Sequence, residues 1–101
     1  MDPDKPDEFN ISDVVISTAG HDRGELFYVI DADEQFLYLV NGKDRDLGKP
    51  KRKKRRHVQK VLRSETRVAA KLLSGDKVLN SELRRDLAEF SQDMQSNNLG
   101  G

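Results

Sequence analysis

The sequence predicts a mainly β domain, a small curled sheet followed by two short C-terminal α-helices. Three observations carry this expectation. Short runs rich in β-branched and aromatic residues recur through the first forty positions, two of those runs are apolar on both faces, and a four-residue periodicity takes over after Ser64.

The elements follow in chain order. Residues 1–10 hold Pro3, Pro6 and several acidic side chains, which predicts a disordered acidic leader ending near Phe9, with the fold beginning after it. DVVIS (13–17), ELFYVID (25–31) and QFLYLV (35–40) are strands, and the short connections TAGHDRG and ADE imply a three-strand antiparallel meander. Leu26, Tyr28 and Ile30 alternate with Phe27 and Val29, while Phe36, Tyr38 and Val40 alternate with Leu37 and Leu39. A sheet apolar on both sides must curl into a small barrel or be covered by helices, and both remedies are expected. Asn41-Gly42 reads either as a hairpin turn or as the start of a long basic arm over 43–56, after which HVQKVL (57–62) returns as a fourth strand. Ser64 caps a helix over 65–73, with Val68, Ala69, Leu72 and Leu73 on its apolar side and Gly75 ending it. Asn80 or Ser81 caps a second helix over 81–92, in which Leu83, Leu87 and Phe90 face inward and Arg84, Arg85 and Asp86 face out. Residues 63–92 thus form a helical hairpin, and 93–101 a flexible tail.

Composition bounds the function. A chain of 101 residues fits one small domain, and with 35% hydrophobic against 36% charged residues its core is modest. The absence of Cys excludes disulfides and thiolate metal sites, which favours an intracellular home. No apolar run approaches a membrane span and the start is acidic, so a cytoplasmic monomer without membrane contact is expected. The balance of 18 basic and 18 acidic side chains hides an asymmetry. Residues 1–42 carry two basic and ten acidic groups, residues 43–71 thirteen and three, and residues 72–101 three and five.

The positive charge concentrates in GKPKRKKRRHVQK, where eight Lys or Arg fall between Lys49 and Lys60 with no acid among them. Such a run repels itself unless a polyanion or solvent absorbs the field, and phosphates are the natural partner because each contact releases condensed counterions. Candidate phosphate-binding residues are Lys43, Arg45, Lys49, Lys51, Arg52, Lys53, Lys54, Arg55, Arg56, His57 and Lys60. A nuclear import signal and a merely solvated loop are the competing readings of the same run.

Counting Val14 as the first position, Gly24 is the eleventh, and the local order is V-V-I-S-x-A-G-x-D-x-G. A basic segment of the form K-P-K-x-K-K follows and ends in His57. This stretch, from about Ser12 to Leu62, resembles the KOW motif, and is similar to a bacterial family of KOW-domain RNA-binding proteins related to the archaeal and eukaryotic-type large-subunit ribosomal protein fourteen. The resemblance implies a small SH3-like barrel of four or five strands over 11–62 that contacts structured ribosomal RNA. It makes Gly20 and Gly24 structural residues of the KOW loop and adds Arg23, displayed between them, to the RNA-binding set. His21 and Glu25 depart from the more basic loop that the family implies.

The aromatics Phe27, Tyr28, Phe36 and Tyr38 read first as core, with Tyr28 or Tyr38 stacking on a base if its side faces out. No constellation of nucleophile and base and no phosphate-binding glycine loop appears, so no enzyme and no cofactor are expected. The alternative function is a protein-interaction module of the transcription or translation machinery that uses the barrel surface. A nuclear DNA-associated protein is a third reading.

Overall fold

A computed structural model describes residues 8–100 of the chain, with side chains through residue 95. Five antiparallel strands form one sheet: β1 (Asp13–Ser17), β2 (Leu26–Ala32), β3 (Phe36–Val40), β4 (Lys51–Lys54) and β5 (Val58–Arg63), in the order β4-β3-β2-β1-β5. A 3-10 turn over Arg55–His57 joins β4 to β5, and two helices follow, α1 (Arg67–Ser74) and α2 (Asn80–Gly100). Strand and helix contents are roughly equal, so the domain is mixed α/β rather than mainly β.

The connectivity forces the sheet to curl. β4 and β5 lie at opposite ends of the strand order, which in a flat sheet would set them roughly 19 Å apart. Only the 3-10 turn separates Lys54 from Val58, and even fully extended chain of that length reaches roughly 14 Å. Register irregularities at Val14/Val15 on β1 and Val29/Asp31 on β2 supply the extra twist. No ladder joins β4 to β5, and the sheet is curled but open.

Of the two expected remedies for the apolar faces, the helical cover is present, while the sheet curls without closing into a barrel. On the concave side Val15, Phe27, Val29, Leu37, Leu39 and Val58 pack with Phe9 into one buried cluster. On the convex side Val14, Tyr28 and Val40 pack against Val68 of α1 and Leu83 and Leu87 of α2. Phe9, at the end of the predicted leader, therefore belongs to the core; residues 1–7 of that leader lie outside the described residues.

Several details differ from the sequence reading. Thr66, not Ser64, caps α1, its Oγ1 accepting the Ala69 N–H at 3.2 Å. Ser64 is buried and its hydroxyl meets the Tyr28 hydroxyl at 2.8 Å. Asp86 turns inward to accept hydrogen bonds from Tyr28 at 2.7 Å and Thr66 at 2.6 Å, so this network ties the sheet to both helices. Burial, then the carboxylate of Asp86, push the Tyr28 hydroxyl up to about 12, and it stays a neutral donor. Helix α2 runs on through 93–100, where a tail is expected from composition.

Gly42 fixes the start of α2 against the sheet. Its φ is +78°, and a Cβ there would sit 2.4 Å from the Asn80 carbonyl oxygen and 3.0 Å from the Leu83 Cβ. Gly24 shares a left-handed φ of +90° but has nothing within 4 Å of that position. Gly42→Ala is therefore expected to destabilise the fold by about 3 kcal/mol, combining the left-handed penalty with overpacking. Gly24→Ala should cost only about 1 kcal/mol, the conformational part alone. Urea unfolding of the two variants beside the parent checks the difference.

Candidate nucleic-acid interface

Residues 51–54, expected within a long basic arm, form the edge strand β4, and strand alternation divides their charge. Lys51 and Lys53 stand opposite Leu39 and Leu37, which face the concave core, while Arg52 and Lys54 stand opposite Tyr38 and Phe36 on the convex side. A period of two thus sends half of the KRKK cations inward.

The inward pair meets Asp22 in the β1–β2 loop. The Lys53 ammonium lies 2.8 Å from Asp22 Oδ1 and donates to the Ala19 carbonyl at 2.8 Å, Lys51 lies 3.2 Å from Oδ2, and the Ser17 hydroxyl donates to Oδ1 at 2.7 Å. The Lys53 side chain is only 8% exposed. Burial on its own would raise the Asp22 pKa, but the hydrogen bonds from Lys53, Ser17 and Lys51 outweigh it and hold the carboxyl well below its ordinary range. Asp22 and the Ala19 carbonyl thus fasten the β1–β2 loop to Lys51 and Lys53 of the basic strand. Gly20, with φ +88°, lets the loop pass close to the Lys53 ammonium, and the Gly24 N–H closes it on the Ser17 carbonyl at 2.8 Å.

A second carboxylate absorbs more of the run. Asp13 is fully buried; its Oδ2 takes the Asn10 N–H at 2.8 Å and lies 3.3 Å from Lys60, and its Oδ1 lies 3.8 Å from Arg63. Arg55 donates to the Asp33 carbonyl at 2.8 Å, and both Arg55 and Lys60 sit 5.7 Å from the centre of the Phe9 ring. His57 is half-buried, its carbonyl accepting the Thr18 N–H at 2.9 Å.

What remains on the surface is smaller than the sequence suggests. Arg52, Lys54 and Arg56 are exposed and make no ion pair among the described residues. Arg52 lies over the Phe36 ring at 4.1 Å, and Tyr38, its cross-strand neighbour, donates its hydroxyl to Asp33 at 3.0 Å. That hydrogen bond pushes the Tyr38 hydroxyl above its ordinary value. Lys43, Arg45 and Lys49 sit in the loop between β3 and β4, which the Asn41 side chain and Asp46 turn by accepting backbone N–H groups of residues 43, 45, 48 and 49. Arg23 is exposed in the β1–β2 loop. A cleft of about 330 Å³ between α2 and these two loops is lined by Gly24, Glu25, Lys43, Arg84, Leu87 and Ser91, among others.

Of the predicted site residues, then, the fold places Arg52 and Lys54 on one face of β4, leaves Arg56 exposed in the turn after it, and turns Lys51, Lys53 and Lys60 toward carboxylates. Sequence reasoning missed Asp22 and Asp13 as the acceptors and Phe36 as a support for Arg52. The signal was present in the alternation of KRKK once it is read as a strand. No protein-family model matches the chain, and no curated protein matches it.

Asp22→Asn leaves the Lys53 ammonium nearly buried without its counter-charge, and is expected to destabilise the fold by about 3 kcal/mol at neutral pH. Because the folded carboxyl titrates below its unfolded value of about 3.9, its contribution is complete above that value and fades as pH falls toward the folded one. The stability gap between parent and variant should hold from pH 7 to about 5 and shrink below about 4, as urea denaturation across that range would measure.

Proposed function

We propose that this is an RNA-binding protein of KOW type, ribosome-associated and cytoplasmic, with no catalytic activity of its own, and that its curled sheet is an SH3-like barrel. One observation carries the reading. After Asp22 and Asp13 have taken Lys51, Lys53 and Lys60, the basic run still presents Arg52, Lys54 and Arg56 outward, without ion pairs among the described residues. Two planar guanidinium forks and an ammonium on an edge strand and its adjoining turn suit phosphate oxygens along a nucleic-acid backbone. The order of residues from Val14 to Gly24 supports the KOW assignment, and the curl imposed by the short β4–β5 connection supports the barrel. Ribosomal RNA is the preferred target because the resembled family acts there. Recognition rests on shape, phosphates and exposed bases, since the deep major groove of A-form RNA hides its base edges. No described helix is long and apolar enough to cross a membrane.

The second reading, a protein-interaction module, draws on a different feature. β4 ends the strand order, so its outer edge can accept an extended peptide as a sixth strand. Its lysines work against that, since charged edge residues discourage strand addition. Nuclease treatment of a lysate before pull-down separates the two: co-purification with ribosomal particles is lost under the RNA reading and a protein partner is retained under the other.

The variant Arg52→Gln/Lys54→Gln/Arg56→Gln is expected to bind a labelled structured ribosomal RNA fragment at least tenfold more weakly at low salt. The slope of log affinity against log salt should become shallower by about 2, as three phosphate contacts are removed. Fluorescence anisotropy over a salt series reads both quantities. Equal binding by parent and variant at every salt concentration would remove the proposed role.

A further inference from the structure

The convex face of β3 and β4 has a geometry that phosphate binding alone does not require. Phe36 and Tyr38 are only half-buried there, beyond the area that the helices cover, and alternate with outward cations across the β3–β4 ladder. Arg52 pairs directly with Tyr38 and leans diagonally onto Phe36, its guanidinium carbon 4.1 Å from the ring centre. Arg52 is exposed, and a guanidinium lying over one aromatic ring can offer its other planar face to a ligand from solvent.

The neighbouring carboxylates make no ion pair with Arg52 among the described residues. Asp33 Oδ1 accepts the N–H groups of Gln35 and Phe36, at 3.0 and 2.8 Å, and its Oδ2 accepts the Tyr38 hydroxyl. The same three donors hold the Asp33 carboxyl below its usual range and so keep it ionised and occupied. Asp31 pairs with Tyr38 from β2, two strands from β4, and its Oδ1 accepts the Ala32 N–H at 2.8 Å. The Tyr38–Asp33 bond also anchors the hydroxyl end of the Tyr38 side chain. Lys54, on the same face of β4, and Arg56, in the turn that follows, are exposed as well.

We propose that Phe36, Arg52 and Tyr38 form a stacking platform for an unpaired base of single-stranded RNA, with Lys54 and Arg56 against the flanking phosphates. This rests on the RNA-binding reading above and narrows it to a loop, bulge or free end of the RNA. A base inside a duplex already has both faces stacked, whereas an unpaired base can lie on the other face of the Arg52 guanidinium and complete a ring–guanidinium–base sandwich. The positive charge of the three outward cations complements the phosphates on either side of that base, which favours RNA over a neutral or basic peptide on the same face.

The probe is a twelve-nucleotide single-stranded RNA carrying 2-aminopurine at its centre, whose fluorescence is quenched on stacking, with a duplex of the same length as comparison. The parent is expected to quench the single strand and to bind it more tightly than the duplex. Arg52→Lys keeps the charge and lies on the surface, so it folds as the parent does; it should weaken single-strand binding about tenfold, abolish the quenching and leave the salt slope unchanged. Phe36→Leu, with folding checked by its melting temperature, should reduce the quenching as well. If Arg52→Lys binds and quenches as the parent does while Arg52→Gln/Lys54→Gln/Arg56→Gln still loses RNA, the platform is wrong and the phosphate reading stands. If the parent binds neither probe at any salt concentration, both are wrong.

Discussion

The carboxylate of Asp22 is the point on which this structure turns. It sits in the loop between β1 and β2 and is gripped by the ammonium groups of Lys51 and Lys53 on the far edge of the curled sheet, with the Ser17 hydroxyl as a third donor. Two ion pairs on one carboxylate therefore brace the curl from inside, where no backbone ladder joins β4 to β5. It also shapes the candidate surface, because a basic edge strand with two of its side chains drawn inward must present the other two outward. The charge that looks uniform along the chain becomes a buried staple on one face and a solvent-facing surface on the other.

The rest of the fold keeps that strand in place. The concave cluster around Phe27 and Leu37 fills the interior of the curl, and the helices seal the convex face over β1, β2 and the end of β3. Tyr28 links the two layers. Its ring is fully buried, meets Phe90 edge-on with centroids 6.4 Å apart, and its hydroxyl is held by Ser64 and Asp86. A buried hydroxyl without partners costs about 1–3 kcal/mol, so the satisfied network fixes one arrangement of helices on sheet. The helices stop short of Phe36 and Tyr38, and that leaves the aromatic strip beside β4 open.

Much of this was legible in the residues. The apolar alternation of β2 and β3 specified a two-faced sheet and hence both a curl and a helical cover, and Leu83, Leu87 and Phe90 specified the inward side of α2. The departures have local causes. KRKK carries no β-branched residue or aromatic, so its strand is imposed by pairing with β3 rather than by propensity. Asp22 and Asp13 read as turn and strand-start residues, because their value as counter-ions depends on contacts 29 to 50 positions away in the chain. Thr66 displaced Ser64 as the cap because the Ser64 hydroxyl faces Tyr28, a tertiary contact no local pattern encodes. Of the candidate site, the region was visible from charge alone, but its division into inward and outward cations needed the strand register.

Lysine footprinting tests the central claim most directly: amine acetylation of the folded protein, with and without single-stranded RNA, followed by mass spectrometry of each modified site. The account predicts that Lys54 reacts readily and is protected by RNA, while Lys53 reacts slowly in both conditions. Lys53 reacting as fast as Lys54 in the free protein, or RNA leaving Lys54 unprotected, would contradict it.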